Sequence, residues 1–353
     1  MATRLILHVG AMKSGTSFIQ NVLSGNREVL AEQDILFPGT RWRQQVSAVY
    51  DLIEHGGPGQ PAMADDGPWR TIVAEVNAWS GTAVISMEFL GPRNKQKIEQ
   101  IKKSFPGTEL DVIFTVRDLG RTIPAMWQES VQNGSVVTWE RFLDAVRAEK
   151  TGQPGPAKWF WKHQRVAAMA RRWVESVGAD HFTLITVPPK GSPSSLLWER
   201  FADVAGIDPG SCRLDVLANP SIGAASAMVM RALNEAMADR PMNKRVYHNY
   251  VKHALAKRGL VDRQKDEPVL GLDEKWVRKR GAVEVKRLEG QGLRVVGDLN
   301  ELLPQPVPGV HTRQIGAEEQ LAAAVDGLAH VLRQWAASDR AHRRQIRKLS
   351  SES

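Results

Sequence analysis

The stretch from Arg4 to Leu23 constrains this chain more than any other. Leu5 to Val9 is a short apolar run of the kind that forms a buried strand. Gly10 breaks it. A polar, glycine-containing turn then leads into Phe18-Ile-Gln-Asn-Val-Leu23, which reads as the start of a helix. A strand, a turn and a helix N-terminus in that order make an anion site, because the first N–H groups of the helix point outward and its dipole favours negative charge. Lys13 adds a full positive charge, and Ser14, Thr16 and Ser17 add hydroxyl donors around Gly15. The first turn of this chain is therefore expected to grip a phosphate.

The rest of the sequence repeats the same alternation. Strands are expected at 4–9, 82–87, 110–116, 181–187 and 293–297, each short, apolar and rich in β-branched residues. Helices are expected at 16–32, 95–103, 120–131, 138–148, 162–177, 193–205 and 222–238. This pattern predicts an α/β fold in three layers, a central parallel sheet of about five strands flanked by helices. Residues 54–68 and 150–157 are rich in Gly and Pro and read as exposed loops. Residues 239–270 read as loops with a short helix. One α/β domain is expected over 1–303 and a proline-rich linker over 304–313. A terminal segment, 314–353, then carries one long helix from Ala317 to Lys348. Leu321, Val325, Leu328, Leu332 and Trp335 place an apolar stripe on it, which could pack on the domain or on a second copy in a homodimer.

No run of eighteen apolar residues is present to span a membrane, and the N-terminal apolar run is too short for a signal segment. The single cysteine, Cys212, rules out an internal disulfide or a cysteine-based zinc site and suits a reducing cytoplasm. The net charge of +8 suits anionic ligands. Much of it lies in the tail Arg340-Ala-His-Arg-Arg-Gln-Ile-Arg-Lys348, so no nucleic-acid partner is assigned. The tail reads as a solvated helix end, with peripheral membrane contact the alternative.

The nucleotide-triphosphate loop follows G-x-x-x-x-G-K-[ST]. Here the order is Gly10-Ala-Met-Lys13-Ser14-Gly15-Thr16-Ser17, with the lysine two places before the second glycine. The arrangement resembles the 5′-phosphosulfate loop of sulfotransferases that use 3′-phosphoadenosine 5′-phosphosulfate (PAPS), with Met12 where many members carry proline. A second match is Leu110-Asp-Val-Ile-Phe-Thr-Val-Arg-Asp-Leu-Gly-Arg121, whose Arg117 stands where the family places an arginine on the 3′-phosphate. The family's serine eight residues later is Ala125 here, and Arg121, Gln128 and Ser130 are the nearby substitutes. Phe182 to Val187, Pro188-Pro189, Leu196 to Phe201, Asn219-Pro-Ser221 and Leu293 to Leu299 resemble the later core of bacterial members, so the similarity spans roughly 4–303.

The resemblance implies transfer of a sulfuryl group from PAPS to a hydroxyl of a small-molecule, glycolipid or saccharide acceptor, releasing adenosine 3′,5′-bisphosphate without a metal. Nucleotide contacts would come from Lys13, Ser14, Gly15, Thr16, Ser17, Arg117 and Arg121. Lys13 would also stabilise charge on the leaving phosphate. Glu88, at the carboxyl end of the strand Ala83 to Ser86, is the first candidate base, since carbohydrate-modifying members use a glutamate. His55 is the second, since many small-molecule members use a histidine. His8 is expected to pack inside its strand, and Asp118 to open a helix. Lys158-Trp-Phe-Trp-Lys-His-Gln164 is expected to be core packing, with sugar stacking the alternative. Arg278-Lys-Arg-Gly281, in a helix opening at Asp273, is expected to be a solvated face. A P-loop kinase or nucleotide hydrolase, and a non-catalytic nucleotide-binding module, remain the rival readings.

Overall fold

The computed structural model describes residues 1–57, 59–149, 151–152, 154–215, 222–265 and 267–351. Asn219-Pro-Ser221 lies outside them. In chain order the elements are β1 (Arg4–His8), α1 (Thr16–Gly25), α2 (Arg27–Ala31), β2 (Ile35–Leu36), α3 (Trp42–Glu54), α4 (Pro68–Ala78), β3 (Thr82–Ser86), α5 (Lys95–Ser104), β4 (Glu109–Val116), α6 (Leu119–Gln132), α7 (Trp139–Ala148), α8 (Pro156–Gln164), α9 (Val166–Val177), β5 (Phe182–Thr186), α10 (Leu196–Ala205), α11 (Ala224–Ala236), α12 (Lys244–Tyr247), α13 (Lys275–Glu289), β6 (Arg294–Val296) and α14 (Ala317–Ser351). Two compact units share them. One comprises Met1–Thr122, Glu149–Ala218 and Lys275–Gln305; the other comprises Ile123–Ala148, Asn219–Glu274 and Pro306–Ser353. The division falls inside the expected linker but also assigns 123–148 and 219–274 to the second unit, so that unit is more than a terminal helix.

The first unit is built on a six-stranded sheet in the order β2-β3-β1-β4-β5-β6, with every pairing parallel. Strand alternation sends side chains to two cores. Leu5, Leu7 and Val9 join Ile85, Phe114 and Leu184 on one face, where α3, α4, α5, α9 and α13 supply Leu52, Trp69, Ile98, Trp173 and Leu288. Ile6, Val84, Ile113 and Ile185 point to the other, against Ile19 of α1, Leu30 of α2 and Trp198 and Phe201 of α10. These are the three layers that the alternation predicts.

Several boundaries differ from expectation. The sixth strand is β2, whose two residues pair with Thr82 and Ala83 and are too few to show a period. Residues 16–32 form two helices, broken at Asn26, whose side chain turns back to the Val22 carbonyl. Helix α8 is separate from α9, the chain leaving helical geometry at Arg165. Helices α3 and α4 flank the Gly/Pro-rich loop where no element was expected.

In the second unit, residues 248–260 wind as a π-helix followed by a 3₁₀ turn, in place of the expected loops. The proline-rich segment is tied down, with Leu270 and Leu272 bridging to Val310 and Val307. Among the described residues no helix is long and apolar enough to cross a membrane.

Candidate functional site

The loop after β1 is held in place by residues far away in sequence. Val9 and Ala11 extend the pairing beyond His8, their N–H groups donating to the carbonyls of Ile113 (2.9 Å) and Thr115 (2.8 Å). The chain then turns through Lys13, whose φ of 66° is left-handed, and Gly15 at 81°. Gly15 caps α1, and a Cβ there would overlap Leu197. A Cβ on Gly10 would overlap Thr115 Oγ1 and lie 2.7 Å from Thr16 Cγ2, so the turn closes only around a bare backbone.

A buried polar relay fixes the turn from beneath. Ser14 Oγ donates to the Ala11 carbonyl at 2.6 Å, so the hydrogen between it and Thr115 Oγ1, 2.8 Å away, must come from Thr115. Thr115 then accepts from His8 Nε2 at 3.0 Å, and His8 Nδ1 accepts from Ser86 Oγ at 2.7 Å. The order of donors thus assigns the Nε2–H tautomer to His8. Burial pushes the imidazole down to about 3, so it is neutral at ordinary pH. His8 serves packing and local hydrogen bonding, as expected of a histidine inside a strand. The Ser14 hydroxyl faces inward too, which leaves a ligand at Ser14 only main-chain groups.

Gln164 is the contact sequence reasoning missed. It is buried, and its Nε2 donates to the Met12 carbonyl at 2.8 Å. It thereby fastens the loop at the position where the resembling family uses proline. Its only signal was its place at the end of the aromatic run. In that run Phe160 and Trp161 are core residues, ring against ring at 4.9 Å, as the packing reading expects. Arg280 corrects the reading of its segment as a solvated face. Its guanidinium stacks 4.8 Å above Trp161 and pairs with Glu149.

Glu88 begins a short 3₁₀ turn directly after β3. Strand β3 lies beside β1 with Ser86 opposite His8, so Glu88 and the Lys13 loop leave the same ends of neighbouring strands. Gln20 of α1 ties the two together, donating to the Ser86 carbonyl (3.1 Å) and to Glu88 Oε2 (3.2 Å). Tyr50 stands close by, its ring 5.4 Å from that of Phe89. Burial first, then the carboxylates of Glu88 and Glu54, raise its phenol above the ordinary range.

His55 belongs to a different constellation. It caps the end of α3, with Nδ1 2.9 Å from Asp51 Oδ1, and its carbonyl accepts from Lys97. Asp51 in turn accepts from the Trp69 N–H at the start of α4. These contacts join α3, α4 and α5, and none of the partners belongs to the first loop.

Arg117 leaves the carboxyl end of β4 and lines a cavity with Asp118, Gln164, Val166, Gly281 and Glu284. Its Nη2 donates to the Arg121 carbonyl at 3.0 Å. Burial, and then the nearby Arg121 charge, push it down to about 10 against the pull of Asp118, so it remains a cation. Arg121 is committed to the fold. It pairs with Asp118 and donates to the carbonyls of Pro188 (2.8 Å) and Val187 (3.3 Å). Asp118 opens α6 as expected, accepting from the Arg121 N–H at 2.9 Å. Of the other substitutes for the hydroxyl absent at Ala125, Gln128 donates to the Ile222 carbonyl and Ser130 to the Trp127 carbonyl.

Among the described residues, one cluster with metal-ligand chemistry forms that the sequence did not disclose: Glu109, Asp111 and His181. It sits at the amino ends of β4 and β5, the edge of the sheet opposite the loop. Asp111 already accepts from Arg4 Nε at 2.6 Å and from His181 Nδ1 at 2.8 Å, so the group reads as an ion-pair cluster.

No protein-family model matches this sequence, and no curated protein does. Among solved structures the chain is similar to a sulfotransferase from Alicyclobacillus acidocaldarius, at 15% identity and a TM-score of 0.42, over 70% of this chain and 100% of that one. A likeness this loose leaves the functional reading to the geometry of the loop.

Proposed function

We propose that this protein is a sulfotransferase that uses PAPS and sulfates a hydroxyl of a small-molecule, glycolipid or saccharide acceptor. The observation that carries the reading is the turn of Lys13: a left-handed lysine between the end of β1 and the start of α1, locked from below by Ser14, Thr115 and His8. The donor set suits a bisphosphate. The first N–H groups of α1 face outward as in any helix, Lys13 places its charge ahead of them, and Arg117 supplies a second, half-buried cation.

When bound, PAPS supplies an activated sulfuryl group whose sulfur–oxygen bond to phosphate breaks as the bond to the acceptor oxygen forms. Glu88 takes the acceptor's proton, and its tie to Gln20 keeps the carboxylate beside α1. Lys13 and the helix N-terminus offset charge on the phosphate side. His55 is second as a base, because its ring is engaged by Asp51.

The test is transfer of radiolabelled sulfate from PAPS into a cell extract. The reading expects labelled product with the native protein and none with Lys13→Ala. Absence of transfer together with magnesium-dependent ATP turnover would move the assignment to a P-loop kinase or hydrolase. Nucleotide binding without any transfer would move it to a binding module.

A further inference from the structure

Helix α14 has two faces of different character. Ala323 and Gly327 are buried, and His330 shares their side. A Cβ on Gly327 would stand 2.7 Å from Leu255 Cδ1, and one on Gly259 would stand 3.1 Å from the His330 ring. Asp326 pairs with Arg263. Small residues thus let this face lie close against the π-helical segment His248–Leu260. Roughly 200° around the helix, Leu321, Val325, Leu328, Leu332 and Trp335 are 64%, 55%, 59%, 48% and 70% exposed.

Their spacing of four, three, four and three is the a/d seam of a heptad repeat, narrower than the stripe by which a helix joins a globular core. The positions beside the seam are Ala322, Ala324, Ala329, Val331, Ala336 and Ser338, which carry no charge and little bulk. A contiguous apolar surface of this kind marks an interaction site. We propose that it is a homodimer interface, in which α14 packs antiparallel against α14 of a second copy.

Charge selects both the occupant and its direction. The helix begins with Glu318 and Glu319 and carries Asp326, whereas its last part holds Arg340, Arg343, Arg344, Arg347 and Lys348. Parallel pairing would bring the like-charged ends of the sequence together. Antiparallel pairing brings acidic start against basic end. A register with Val325 facing Trp335 and Leu328 facing Leu332 closes four apolar layers and carries Glu318 and Glu319 to the turn at 341–342. A bilayer suits the surface less well, because membrane-surface helices border a broad apolar face with Lys and Arg, and the positions beside this seam carry neither. The inference does not depend on the proposed activity.

Sedimentation equilibrium of the full chain, up to tens of micromolar, tests it. The native protein is expected to be a dimer. Leu328→Asp with Leu332→Asp should raise the dimer dissociation constant by about 100-fold or more, with helix content by circular dichroism unchanged because both residues are exposed. Glu318→Lys with Glu319→Lys should raise it about tenfold, whereas a parallel pair would hold or tighten. A monomer throughout, a dimer indifferent to the Asp pair, a dimer unweakened by the Lys pair, or a monomer that floats with phosphatidylglycerol vesicles would each overturn the proposal.

Discussion

Lys13, Glu88 and Thr115 carry different parts of the account, and substitutions separate them. Lys13→Ala is expected to abolish sulfuryl transfer. Glu88→Gln should lower kcat by about 100-fold or more while leaving the affinity for adenosine 3′,5′-bisphosphate unchanged, as calorimetry beside steady-state kinetics would register. Full activity in Glu88→Gln would move the base to another residue. Thr115→Val removes the hydroxyl that donates to Ser14 and accepts from His8. His8 Nε2 is then left without a partner and Ser14 Oγ keeps only the Ala11 carbonyl, and urea unfolding should show a loss of about 1–3 kcal/mol. An unchanged midpoint would mean that the relay does not support the loop. Lys13 and Glu88 could be singled out from the sequence because each follows a short apolar run at a strand's carboxyl end. Thr115 and Gln164 could not, because their role depends on which strand lies beside β1 and on where α8 ends.

At the scale of elements, long-period signals were legible and contact-dependent ones were not. The strands β1, β3, β4 and β5 were readable because each is a compact apolar run. Two-residue β2 was hidden, since its strand geometry comes from pairing with β3. The π-helix 248–260 was hidden because its charged, mixed sequence carries no helical period. The turn from β1 to α1 was legible as a glycine-containing turn between a strand and a helix, but its tightness was not. Gly10→Ala tests that tightness. The added methyl group would overlap Thr115 and crowd Thr16, both short β-branched side chains with little room to move. A loss of about 1–3 kcal/mol in chemical denaturation, with weakened bisphosphate binding, is expected; a neutral substitution would show the turn to be looser than drawn.

For the whole molecule, two buried histidines contribute to the response to acid. His8 and His163 are both held down to about 3, His8 by burial and His163 by burial and then the charges of Lys162 and Arg93. His163 Nδ1 is also buried without a hydrogen-bond partner among the described residues. The unfolded chain takes up these protons below its ordinary value near 6.5 and the folded chain does not. Their contribution to stability is therefore fully present above that value and falls as the pH drops from 6.5 toward 3, by up to about 1.4 kcal/mol per pH unit for each histidine. Thermal unfolding midpoints at neutral and mildly acidic pH check this, and His163→Gln should flatten the slope. The central claim, that the turn of Lys13 holds the phosphosulfate end of a bisphosphate nucleotide, is tested most directly by titration calorimetry with adenosine 3′,5′-bisphosphate in the absence of metal. The account predicts saturable binding at one site in the native protein and its loss in Lys13→Ala. No binding to the native chain, or equal binding to both, would contradict it.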